Sequence, residues 1–237
     1  MSASVPPFTM RQDCSRAKFV SDAGPTRRTA LKGGAGIGAL VATAIVLATE
    51  QPSAQTQRAS SPASELRPVT SFAGITDQRA RSIALFGEMS KVLRHPRCMN
   101  CHPAGDRPTH TDVMRPHQPL VVRGTGGHGA PGLPCATCHH AANFDPAGTP
   151  GHPDWHLAPA SMAWQGRSPA QICAQIKDRS RNGNRDLAAL IRHLSEDSLV
   201  GWAWSPGGRR TPAPGTQAQF GELAKAWAQT GAHCPRA

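Results

Sequence analysis

Tyrosine is absent from this 237-residue chain, aromatic residues make up only 5% and hydrophobic residues 38%. So little large apolar material argues against a domain filled by its own side chains alone. Glycine (23) and proline (22) instead supply about 19%, against a usual combined share of roughly 12%. That composition still falls short of disorder, so something other than side chains is expected to fill part of the core. Aromatic residues interleaved with Lys and Arg are missing too, which excludes a nucleic-acid groove despite the net charge of +11. Without residues 1–54 the balance is 20 Lys/Arg against 12 Asp/Glu, or +8.

No uncharged run is long enough for a comfortable membrane span. Gly33 to Thr49 is 17 residues, follows the basic Arg27, Arg28 and Lys32, and is rich in Gly and Ala. This reads as an export signal over 1–54, cleaved near Ala48 or Ala54, or kept as an N-terminal anchor. Arg27-Arg28 with Leu31 and Lys32 resembles the twin-arginine motif. The route is twin-arginine or general secretory. Either way the destination is the periplasm, and the membrane is touched only through a retained N-terminal segment. Residues 55–70, rich in Ser, Ala, Pro and Gln, read as a flexible linker before a folded part at 71–237.

Of seven cysteines, Cys14 leaves with the signal. Cys98-x-x-Cys101-His102 and Cys135-x-x-Cys138-His139 are each two thiols followed at once by histidine. A c-type haem needs this order: the thiols add across its vinyl groups and the histidine becomes the proximal iron ligand. A four-cysteine zinc site would need neither histidine, and a redox dithiol would want a strand–helix setting. Two haem c groups are therefore expected on Cys98, Cys101, Cys135 and Cys138, with His102 and His139 on iron. Cys173 and Cys234 remain, in an oxidising compartment, and are expected to form a structural disulfide.

Helices are expected over Thr76–Arg94, from the capping box at Ser168 to about Asp178, around Leu187–Leu194, and from the capping box at Thr216 to Gly231. Long Gly/Pro-rich loops lie between. The fold class is mainly α with long irregular loops, like a dihaem cytochrome c. Distal ligands must come from other His and Met residues. His117, 15 residues after His102, suits the first haem, and Met162 lies 23 residues after His139 in the loop APASMAWQG. His140 and His95 are alternatives, with His156 and His193 behind them. Met162 packed against Trp155 and Trp164 is the plainer reading of that residue.

From Ala84 to Pro235 the blocks HPRCMNCHPAGDRP, RPHQPLVVRG, HLAPASMAWQG, EDSLVGWAWSPG and PAPGT resemble a family of periplasmic dihaem proteins. That family is labelled an isoquinoline 1-oxidoreductase subunit. The resemblance implies an electron carrier that accepts electrons from a partner molybdenum hydroxylase and passes them to the respiratory chain. No cysteines are left for [2Fe–2S] clusters, so the hydroxylase would be another polypeptide and this chain a non-catalytic subunit. The alternatives are a dihaem enzyme such as a peroxidase, with Glu88, Asp106 or Asp145 as acid/base, and a zinc-binding structural protein.

Overall fold

In the computed structural model, residues 65–236 are described; the expected export segment, Cys14 and most of the expected linker lie outside them. The described part is 44% helical, short 3₁₀ turns included, with two tiny hairpins and long irregular loops. Among these residues no helix is long and apolar enough to cross a membrane.

Helix α1, Gln78–Leu93, begins two residues inside the expected start, capped by the Asp77 carboxylate, which accepts the Ala80 N–H at 2.6 Å. Its buried face is Leu85, Phe86, Met89, Val92 and Leu93. The chain leaves the helical region at His95, whose backbone is extended (φ −71°, ψ 147°), as a residue before proline prefers. His95 caps a second short helix, α2 (Pro96–Met99), with Pro96 in its first turn, where a missing N–H costs nothing. Both expected capping boxes form, at Ser168 for α3 (Pro169–Lys177) and at Thr216 for α6 (Gln217–Gln229). Between them Asp186 caps α4 (Leu187–Glu196) and Asp197 caps the unanticipated α5 (Ser198–Gly201).

Helix α6 packs on both α1 and α4. The resulting core holds Phe86, Ile172, Ile176, Phe220, Leu223 and Trp227, all essentially fully buried, with Phe86 and Trp227 ring centres 5.4 Å apart. Each such side chain contributes roughly 1.5–3 kcal/mol of burial. The Cys173–Cys234 disulfide ties α3 to the tail beyond α6, with Cα atoms 5.6 Å apart. The folded part reaches further back than residue 71, because Leu66 is buried and Arg67 grips the buried Glu88 through its main-chain N–H and its side chain. The helical half is thus an ordinary side-chain core. The shortage of apolar residues falls on the loops.

Those loops run from residue 100 to 166, with hairpins β1–β2 (Thr109–His110 with Arg115–Pro116) and β3–β4 (Gly129–Ala130 with Leu133–Pro134). Arg123, buried, clasps three of them. Its guanidinium donates to the carbonyls of Gly105 and Ala158 and pairs with Asp106.

Candidate functional site

The two Cys-x-x-Cys-His segments are built alike. In each, the N–H of the second cysteine donates to the carbonyl of the first: Cys101 to Cys98 at 3.1 Å, Cys138 to Cys135 at 3.2 Å. The histidine N–H reaches the same carbonyl, at 3.2 Å for His102 and 2.9 Å for His139. This one-turn coil sets two thiols and an imidazole on one short stretch of backbone.

The imidazoles are held alike as well. Nδ1 of His102 donates to the Met162 carbonyl and Nδ1 of His139 to the Pro150 carbonyl, both at 2.7 Å. The His102 ring stacks on Trp164 (centres 3.5 Å apart, planes 6° apart) and the His139 ring on Trp155 (4.7 Å, 15°). A carbonyl accepts only a proton, so each Nδ1 carries the hydrogen and each Nε2 keeps its lone pair. Metal-bound histidines are commonly oriented in this way. Burial keeps both rings neutral: the His102 pKa is pushed down to about 4, and that of His139 is lowered too. Burial also raises the thiols, Cys98 to about 12 and Cys101 to about 11, with Cys135 shifted in the same direction.

A cavity of about 1020 Å³ opens between the loops, at the upper end of the roughly 300–1,000 Å³ of cofactor pockets. Cys135, Cys138 and His139 line it, with Cys101 and Arg97 on the side of the first hook. Trp155 and Trp202 form a wall, edge to face at 4.9 Å. The second hook faces the space directly. The first reaches it through Cys101, while Cys98 packs against the helical core and His102 lies on Trp164.

The expected distal residues separate. His117 lines the cavity beside the second hook, its ring centre 5.9 Å from that of His139 with planes 65° apart, so its spacing from His102 in sequence misleads. Two imidazoles bonded at roughly 2 Å to one ion between them would have centres about 6 Å apart. Met162 does not line the cavity: it is buried in the helical core, and its carbonyl, not its sulfur, meets His102 from behind. His95 is used as a helix cap, accepting the Arg97 N–H on Nδ1, and His140 is exposed away from the cavity. His193 binds Asp197 at 3.1 Å, outside the cavity. His156 is at the cavity wall.

Of the acid/base candidates, Glu88 is buried between Arg67 and Lys91, remote from the cavity, and Asp106 pairs with Arg123. Asp145 alone of the three lines it, beside Arg210. Sequence reasoning missed His110, whose ring is 5.3 Å from His117, because only the β1–β2 register brings them together. It also missed Arg97, buried in the wall with Asp112 as partner and Nε left without one. The roles of Trp155 and Trp164 against the hook histidines went unseen, though their closeness to the loop candidates was a signal. Among the described residues no three hook thiols converge as a zinc cage would require.

Comparison with family models, with curated proteins and with solved structures yields no match to this chain.

Proposed function

We propose that this chain is an exported dihaem c-type cytochrome that carries electrons. The observation that carries the reading is the duplicated hook: two coils that share the same two backbone hydrogen bonds, each presenting two thiols and a neutral imidazole with Nε2 free. For the second hook, the lining of a cavity of cofactor size by this hook and a second imidazole beside it, His117, support the reading. Cys98 and Cys101, and Cys135 and Cys138, would hold the two groups covalently, with His102 and His139 as iron ligands. Bound haem supplies reversible one-electron storage at each site.

The chain's own residues set the conditions for that chemistry. The Met162 and Pro150 carbonyls hold Nδ1–H and make each imidazole a stronger donor, which favours the oxidised ion and lowers the potential. Trp155 and Trp202 exclude water on one side. Arg97, buried with a free Nε, places positive charge at the wall, which favours the reduced state. Because Cys173 and Cys234 are joined, no cysteine pair is left for an iron–sulfur cluster.

The partner reading rests on the family resemblance: two one-electron sites suit a donor that oxidises its substrate by two electrons, as a molybdenum hydroxylase does. Rapid-mixing spectroscopy separates carrier from peroxidase. A carrier is reduced by its donor in two one-electron phases and is inert to hydrogen peroxide. Rapid oxidation by peroxide, with a high-spin ferric spectrum, would overturn the assignment.

A further inference from the structure

Outside the hooks, His128, Asp154 and His156 offer ligand atoms that all lie within 4.8 Å of one another. From this geometry we infer a second, separate metal site: two imidazoles and one carboxylate that take a borderline divalent cation such as zinc. The donors come from two loops that the backbone locks together. Leu157 N–H donates to the Gly127 carbonyl at 2.9 Å, and a Cβ on Gly127 would stand 2.3 Å from the Leu157 oxygen. Only glycine permits that approach, and it brings His128 beside His156, ring centres 5.0 Å apart. Their rings are too close to sandwich one haem iron from opposite faces but suit two adjacent positions on a small ion.

The tautomer of His156 is already set. Its Nδ1 lies 2.8 Å from the Asp154 carbonyl and 3.4 Å from the Asp154 carboxylate; with Nδ1–H held there, Nε2 is left for the metal and the carboxylate joins it by turning from Nδ1. Asp154 is itself positioned by its N–H on Nδ1 of His152 at 3.1 Å. In a tetrahedral zinc site, with bonds of about 2.0–2.2 Å, ligand atoms stand roughly 3.4 Å apart. Closing the separations therefore needs at most about 1.4 Å of side-chain movement, which the exposed His128 and Asp154 can make by rotation. Three protein ligands at a solvent-facing position leave water to complete the shell. The ion would clamp the 124–129 loop to the 154–157 loop. The same Gly127 carbonyl that bonds Leu157 lies 3.8 Å from the Cys135 sulfur, so the clamp braces the second hook from behind.

The test is calorimetric titration of the purified full-length chain, as exported and with thiols alkylated, using zinc ion as the probe. One ion per chain is expected. His128→Ala and His156→Ala should each weaken binding at least 100-fold, by comparison with the roughly 10–100-fold lost when only a supporting partner is removed. His233→Ala, at a half-buried histidine beside Arg79 and away from both loops, should change nothing. Hydrogen exchange at the Leu157 amide should slow on zinc addition in the native chain and not in His128→Ala. No zinc uptake, or uptake unaltered by both substitutions, overturns the site. Alkylation removes the hook thiols as competitors, so the result does not depend on whether haem is attached to them.

Discussion

Replacing Cys173 and Cys234 together by alanine removes one covalent link between residues 61 apart in sequence. In the chain-entropy account the cross-link restricts the unfolded state by about 2.1 + 1.5R ln n cal/mol/K, which for this loop is about 4 kcal/mol at 25 °C. The native state loses comparatively little else, since α3 and the tail after α6 stay joined by the Lys177 ammonium on the Ala232 carbonyl (2.7 Å) and by the shared core. For a folded part of this size the unfolding entropy is about 0.36 kcal/mol/K, so the midpoint should fall by about 11 °C. Under the proposed function the haem is covalent and would stay with the chain on unfolding, so cofactor release would not complicate the comparison. The assay is denaturant and thermal unfolding of both forms followed by far-UV circular dichroism, with haem content measured alongside. A loss below about 1 kcal/mol would refute the loop-entropy reasoning. A loss of haem attachment at unchanged stability would move the disulfide's role from the helices to the hooks.

Acid should weaken the fold in a definite window. Burial alone would raise Glu88, but the hydrogen bonds and charges of Lys91 and Arg67 outweigh it and hold the carboxyl below its ordinary 4.5. Asp112 and Asp197 are likewise lowered despite their own burial, Asp112 chiefly by Thr211 and Arg97, and Asp197 by the Val200 N–H and His193. Groups lowered in the fold stabilise it above the unfolded pKa, so stability should decline as pH falls below about 4.5, and Glu88→Gln should flatten that decline in urea titrations at several pH values. Gly127→Ala, at φ +85° with the Leu157 oxygen in the way, should cost about 2 kcal/mol or more and free the Leu157 amide to exchange. Ser168→Ala should cost about 1 kcal/mol by equilibrium unfolding, through loss of the α3 capping box.

What could be read from the sequence was local. The Ser168 and Thr216 capping boxes, the helices they open and the hooks depend on residues within four positions of one another, and the Cys173–Cys234 pair followed from counting. What escaped reading is held by long-range bonds with no period. Met162 lies in a loop well suited to offering its sulfur, yet the fold spends its carbonyl on His102, 60 residues away, and buries the side chain in the helical core. His117 follows the first hook in sequence and faces the second in space, because the β1–β2 hairpin turns the chain back. Arg97 and Arg123 carry no local mark that separates them from the other cations of a basic chain. The fold buries both, one in the cavity wall and one as the clasp of three loops.

The central claim is that the two hooks carry haem. Its most direct test is a pyridine haemochrome spectrum against protein concentration on the chain co-expressed with haem c maturation factors, native and as Cys135→Ala/Cys138→Ala. Two covalent haems per native chain, falling to one in the variant, is the predicted result. No covalent haem in the native chain would contradict the account and reopen the cysteine pairs to another chemistry.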